Sequence, residues 1–456
     1  MKRIATLALA ILLSYNAFGQ SEKTSALDWF QEAKFGVLLT WGLYSETAGV
    51  WKGIPSRGGE HFMLYERVSL KDYGKIAEDF NPTDFNAEQW VKQAKYAGMK
   101  YLIYMAKHHD GFSMYDTKVN DYNIVKMTPF KRDPLAEIAE ACRKYDMKLG
   151  IYYSLGRDWE DPDVPTRNGH RSNIWDYPNE SAKDNQRYME RKVYPQLREL
   201  LTNYGDIAIM WFDTYEMTTK AQSHEIVKLI DSIQPDCLVN GRVGDGLGDY
   251  AILEQKLADK IIYNPWELCI TMGKNWCYNI FDVEYKTPEM LIRHLIDVVS
   301  KGGNLLLGIG PTGKGVFPTL TYPGLEAFHY WLKENSEAIY GTSHWRVFGE
   351  NYSDMVSTEK IDMKFHDAVY DGTPKENTPD IRFTIKNNIL YIIVRSIKDQ
   401  NFIIKSILPS DNVKKVTLLE NGAKVNWKST DKGLEVTIPE RSPLKLPVYT
   451  LKAILK

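Results

Sequence analysis

Asp206-Ile207-Ala208-Ile209-Met210-Trp211-Phe212-Asp213 is an apolar run that ends abruptly in an acid. With Gly205 before it and a helix-like segment after it, the run predicts a buried parallel strand. Asp213 then sits at the C-terminal tip. In a barrel of parallel strands the loops converge over that end of a packed core, and chemistry is done there. Asp213 is therefore the first candidate for a catalytic nucleophile. The alternative, that it caps the following helix, is weakened by Thr218 and Thr219, which are better placed to cap the segment running to Ile233.

The same grammar recurs on both sides. Buried-strand patterns cover Phe35 to Thr40, Tyr101 to Ala106, Leu149 to Ser154, Cys237 to Val239 and Asn304 to Pro311. Amphipathic helical patterns alternate with them at Phe85 to Gly98, Pro134 to Tyr145, Asp184 to Asn203, Ser223 to Ile233, Pro288 to Val299 and Tyr322 to Ser336. Gly248 to Glu254 and Ile261 to Glu267 read as less regular. Strands alternating with helices over about 300 residues predict a (β/α)8 TIM-like barrel of class α/β. Beyond about Tyr340 the pattern changes to short alternating runs with turn signals at Asn387-Asn388 and Asn421-Gly422, which predicts a C-terminal antiparallel β-sandwich. A charged, apolar and small-residue sequence opens the chain, as in a secretory signal peptide. The expected division is thus 1–19 leader, 20–345 catalytic barrel and 346–456 sandwich, in a periplasmic or secreted protein without a membrane span.

Lys and Arg number 57 and Asp and Glu 59, a balance that offers no basic field for nucleic acid. Aromatic residues are plentiful, with 12 Trp and 28 Tyr, and such rings stack on the apolar faces of sugars. The four cysteines do not form a disulfide framework or a metal-type spacing. Cys269 and Cys277 are candidates for one disulfide, and buried free thiols are the alternative.

Polar residues gather at the strand tips: Trp41, His108 and His109, Tyr152 and Ser154, Asp213, Asn240 and Arg242. His108-His109-Asp110 suggests a metal at first sight. Adjacent residues at a strand end point in different directions, however, so the two histidines read as hydrogen-bonding groups for a ligand. Cleavage of a glycosidic bond needs a second carboxyl group besides Asp213. Glu254 and Glu267 are both available on later units, and spacing does not choose between them.

Taken in order, these motifs resemble the α-L-fucosidases of glycoside hydrolase family 29. The resemblance rests on Trp41-Gly42-Leu43-Tyr44-Ser45, Lys107 to Phe112, Tyr152-Tyr153-Ser154 with Asp158-Trp159, and Trp211-Phe212-Asp213. Asn240-Gly241-Arg242, Gly248-Asp249-Tyr250, Trp266-Glu267 with Trp276 and Tyr278, and Ser300 to Leu307 extend it over about Phe30 to Tyr340. It implies a retaining exo-glycosidase that releases terminal α-L-fucosyl residues from fucosylated oligosaccharides or glycoconjugates, with no metal or organic cofactor. Asp213 matches the nucleophile and Glu254 the acid/base of one branch, with Glu267 as second choice. His108, His109, Tyr152, Trp211 and Arg242 match sugar-contacting positions, and Trp276 matches an aromatic facing the methyl group of fucose.

Three positions depart from the pattern. Thr40 stands where His usually precedes Trp41-Gly42, His61 follows Glu60 where Trp is usual, and Gly308 stands where Asn is common. Thr40, Trp41, Glu60 and His61 all fall in the expected glycone pocket. Their chemistry leaves open a fucose-like L-sugar as substrate, or a catalytically weak sugar-binding protein on the same scaffold.

Overall fold

A computed structural model describes residues 23–166, 172–350, 379–396, 399–439 and 449–456. The expected leader lies outside them. Eight strands, β1 Phe35–Leu39, β2 Tyr101–Lys107, β3 Lys148–Ser154, β4 Ile209–Asp213, β5 Leu238–Val239, β6 Ala251–Glu254, β7 Trp266–Thr271 and β8 Asn304–Ile309, form one parallel sheet. Its order is β5-β4-β3-β2-β1-β8-β7-β6. The two end strands meet at a parallel bridge between Asn240 and Tyr250, where the Gly241 N–H donates to the Tyr250 carbonyl at 2.8 Å. The sheet is the curved parallel core of a TIM-like barrel, with all tips at one mouth.

The decisive strand is shorter than its apolar run. Its lead-in is nonetheless bonded, Ala208 N–H to Leu149 O at 2.7 Å. Of the two segments expected to be irregular, Gly248 to Glu254 contains β6 and Ile261 to Glu267 runs into the first two residues of β7. Strand β6 is only partly covered, with Ala251 and Glu254 exposed, so it lacks the continuous apolar run that marks a strand buried on both faces.

Helices α1 Ala87–Tyr96, α2 Pro134–Lys144, α3 Tyr194–Asn203, α4 Lys220–Ile233, α5 Pro288–Ser300 and α6 Tyr322–Asn335 pack outside the strands. Asn86 and Asp133 cap α1 and α2. Thr219 caps α4 in a reciprocal box with Gln222, so Asp213, six residues upstream, has no part in capping. Ahead of α3 the helix takes a π turn, Met189–Val193. Among the described residues, no helix is long and apolar enough to cross a membrane.

The C-terminal part is a sandwich of two antiparallel sheets. Strands β9 Ser343–Glu350, β10 Asp380–Lys386, β11 Ile389–Ser396, β12 Asn401–Ile404, β13 Lys415–Leu418, β14 Asn426–Thr430, β15 Gly433–Thr437 and β16 Tyr449–Ile454 pair as β9-β10-β11-β16-β13 and β12-β15-β14. Asn387, at φ +55°, turns the β10–β11 hairpin as expected. Asn421-Gly422 instead carries the chain from one sheet to the other.

A buried ionic seam joins sandwich to barrel. Asp297 on α5 takes Arg382 Nε at 2.8 Å and Lys301 Nζ at 2.5 Å, while Asp380 takes Arg382 and Arg395 at 2.6 Å each.

Candidate active site

The strand tips enclose a cavity of about 460 Å3, within the range of small-ligand pockets. Thr40 follows β1, and Glu60 and His61 come from the long loop beyond it. His108 and His109 follow β2, Tyr152 lies on β3, Trp211 and Asp213 on β4, Arg242 after β5, Glu254 at the end of β6 and Trp276 after β7. All of these line the cavity.

Asp213 is held from three directions. The Tyr152 hydroxyl donates to Oδ2 at 2.8 Å, Arg242 Nη1 donates to Oδ1 at 2.9 Å, and the Thr214 N–H donates to Oδ1 at 2.9 Å. These donors fix the carboxylate's orientation at the strand tip. Arg242 also donates through Nη2 to Glu254 Oε2 at 2.5 Å, and its guanidinium lies 5.2 Å from the Trp211 ring centre. Burial opposes the charge on Arg242, but Asp213 and Glu254 together hold its pKa above the usual value. One guanidinium thus ties the two carboxylates together. Asp213 is mostly covered, and Glu254 is 39 % exposed at the rim of the cavity.

Thr214 adopts a left-handed backbone, φ +59°, which costs a threonine energy. Its hydroxyl donates back to the Asp213 carbonyl at 2.7 Å, and its own carbonyl accepts the Gly156 N–H at 2.8 Å. The turn that aims Asp213 is therefore locked by the neighbouring strand.

The histidines stay neutral. Burial pushes the pKa of His61 down, and it pushes those of His108 and His109 well down, where neighbouring imidazoles add to the shift. Ser154 Oγ donates to the Arg157 carbonyl at 2.8 Å and so accepts from His109 Nδ1 at 2.7 Å, leaving His109 Nε2 bare, 3.8 Å from Asp213 Oδ2. His108 and His109 do not diverge: their ring centres are 4.0 Å apart. Strand β2 has ended at Lys107 and the chain is turning toward Gly111, at φ +75°, so the alternation of a strand no longer applies.

Two expected site residues are elsewhere. Trp41 is fully buried, stacked on Phe85, and its indole donates to the Thr312 carbonyl at 3.0 Å. It is a core residue under the β1 tip. Glu267 is also fully buried, because it lies near the start of β7, deep in the barrel. Its oxygens accept Tyr101 O–H at 2.6 Å and Trp211 Nε1–H at 2.8 Å. Glu267 braces Trp211, which stacks on Tyr152 at 5.3 Å, and takes no place at the mouth. Asn240 likewise leaves the ring of polar tips. Its side chain exchanges two bonds with the backbone of Phe212, extending the sheet by one residue toward Asp213. The cysteines are buried free thiols, so no Cys269–Cys277 disulfide forms, and Cys269 borders the cavity.

Burial raises the Glu267 carboxyl to about 7. A raised acid contributes its stability below the unfolded value, about 4.3, and that contribution is lost as pH rises through 7. The expected cost of ionising it is on the order of 3 kcal/mol. Urea midpoints of the wild type should fall between pH 5 and 8, and Glu267→Gln should flatten that slope. An unchanged slope would contradict this assignment.

Gly308 is explained by its neighbour: a Cβ there would lie 2.7 Å from the Trp276 ring, so glycine makes the space in which this indole reaches the cavity. Gly308→Asn should displace Trp276 and raise KM severalfold with little change in melting temperature. Quenching of indole fluorescence by acrylamide would report the shift.

Arg157, Tyr65, Tyr215 and Glu216 also line the cavity and were not anticipated. Arg157 stood beside a quoted motif, Asp158-Trp159. The loop it begins is anchored by that buried Asp158, bonded to Lys107 Nζ at 2.7 Å and to Lys192 Nζ, from the π turn, at 2.8 Å.

Comparison with known families is decisive here. Residues 13–337 match the family model described as alpha-L-fucosidase, and residues 375–454 match the alpha-L-fucosidase C-terminal domain. The chain belongs to the α-L-fucosidase family. It is 31 % identical to a plasma alpha-L-fucosidase of Rattus norvegicus over 392 residues, 78 % of this chain and 80 % of the relative. It is 27 % identical to the human tissue alpha-L-fucosidase over 93 % of this chain and 88 % of that one. Among solved structures, alpha-L-fucosidase isoenzyme 1 from Paenibacillus thiaminolyticus superposes with a TM-score of 0.81 at 31 % identity, covering 95 % of this chain and all of the other. An alpha-L-fucosidase from Lactobacillus casei, solved with α-L-fucose product, matches at 36 % identity and TM-score 0.66 over 69 % of this chain. This member of the α-L-fucosidase family is a glycoside hydrolase with the family's catalytic and C-terminal parts both present.

Proposed function

We propose that the protein is a retaining exo-α-L-fucosidase that removes terminal fucosyl residues from glycans. The clasp of Asp213 and Glu254 by one Arg242 carries this reading. Nitrogens of a single guanidinium bring the carboxylates close, which favours the short separation of retaining enzymes over the roughly 6.5–9.5 Å that admits a water in inverting ones. Asp213 attacks the anomeric carbon and forms a covalent glycosyl-enzyme, while Glu254 protonates the departing oxygen. Glu254 then takes a proton from the water that attacks the same carbon and releases the sugar with its configuration retained. Trp276 offers an apolar face for a C6 methyl, and neutral His108 and His109 exchange hydrogen bonds with sugar hydroxyls.

A second reading, a fucose-like L-sugar as glycone, has its own observation. Thr40 presents a buried hydroxyl with no partner in the protein, and His61 puts an imidazole where a flat indole is usual. Both change which hydroxyl pattern the pocket satisfies. The test is a panel of aryl α-glycosides varied at C4 and C5 of the L-fucose frame, with the first-formed anomer followed by NMR. The fucoside should be turned over fastest, giving the α-anomer first. A β-anomer would overturn retention, and faster cleavage of another L-sugar would move the glycone. We further infer from the first nineteen residues that the enzyme works in a periplasm or outside the cell, with residues 20–345 and 346–456 as its two parts.

A further inference from the structure

We propose that His61, His108 and His109 form a binding site for a borderline divalent cation, Zn2+ being the natural occupant, that closes the pocket to sugar. One ligand nitrogen from each ring lies within 4.8 Å of the others, although His61 comes from a loop 47 positions upstream of His108. With Zn–N bonds of about 2.1 Å, imidazole centres around one ion stand roughly 5 Å apart. Here they are 4.0, 5.1 and 5.7 Å apart.

Two further features point the same way. His108 Nδ1 and His61 Nε2 are buried atoms without a hydrogen-bond partner, and His108 is only 6 % exposed. His109 is set as the Nδ1–H tautomer by Ser154, so its bare Nε2 faces Asp213 Oδ2, the oxygen that accepts the Tyr152 hydroxyl, at 3.8 Å. Asp213 thus borders the three-nitrogen cluster on its His109 side. The rings of His61 and His109 lie 1° from parallel, so full coordination asks for a turn of His61, the half-exposed member. The ion takes the space of the sugar beside Asp213, so it is an inhibitor and no part of turnover.

Calorimetric titration of the full chain with Zn2+ and visible spectroscopy with Co2+ test this. One ion per chain, with the intense d–d bands of a four-coordinate nitrogen site, is the expected result. His61→Phe should lower affinity at least about tenfold. His224→Ala and His329→Ala, on the surface, should leave it unchanged. Weak octahedral-type bands in the wild type, or a His61→Phe protein that keeps its fold by circular dichroism and binds as before, would overturn the proposal. Both readouts need no substrate, so they stand or fall apart from the identity of the sugar.

Discussion

Asp213→Ala is expected to reduce hydrolysis of an aryl α-L-fucoside by on the order of 10^4-fold or more, with the fold intact. The size follows from what is removed. The carboxylate is the group that bonds to carbon, and its loss leaves Tyr152 and Arg242 pointing at an empty space. Azide or formate should restore part of the rate, because a small anion fits the vacated position beside the same donors and Glu254 is still present to protonate the leaving group. Circular dichroism and a thermal melt would show that the loss is chemical. Full activity in the variant would remove Asp213 from the mechanism, and with it the covalent intermediate.

The second large effect is expected far from the cavity. Asp297→Ala leaves Lys301, Arg382 and Arg395 facing one another inside the seam between barrel and sandwich, without the carboxylate that joins them. Breaking one side of a buried ionic cluster costs about 3–5 kcal/mol, against well under 1 kcal/mol for an exposed pair. Melting temperature should fall by roughly 5–10 °C. Burial would raise the Asp297 pKa, but the three cations overcome it and hold the carboxyl well below the usual range. A depressed acid contributes its stability above its unfolded value, about 3.9, and loses it as pH falls toward the folded value. The wild type should therefore lose stability below about pH 4 in a way that the variant does not. A melting curve and acid titration matching the wild type would show that the seam holds without Asp297.

The alternation of apolar runs and amphipathic helices made the barrel legible, and each strong strand was found within two or three residues of its expected bounds. Strands β6 and β7 were harder to read. The first is partly exposed, and the second has the polar Glu267 as its second residue, which its depth in the barrel conceals. The same depth is why spacing alone did not choose between Glu254 and Glu267 as partner for Asp213. A strand's sequence says which residues it holds, and only the packed barrel says how far each lies from the mouth. Glu254 and Glu267 are thus equivalent on the page and separated by a layer of side chains in space. Trp41 was misplaced for a related reason, since a tryptophan at a strand end reads alike whether it turns to the cavity or to Phe85 and Trp90. The meeting of His61 with His108 and His109 had no local signal, because a loop brings it in from outside the strand pattern.

The π turn at Met189–Val193 carries a consequence of a different kind. It is one residue of slack wound into a helix, and that residue sets the rotational phase at which Lys192 meets Asp158. Point substitutions along this helix keep the phase. Deleting a single residue would restore ordinary winding and swing the lysine about a quarter-turn away. Asp158, already paired with Lys107, would lose half its charge balance, and the loop bearing Arg157 would come loose at the rim of the cavity. Enzyme specificity at the mouth is in this sense tied to the length of a helix on the outside of the barrel.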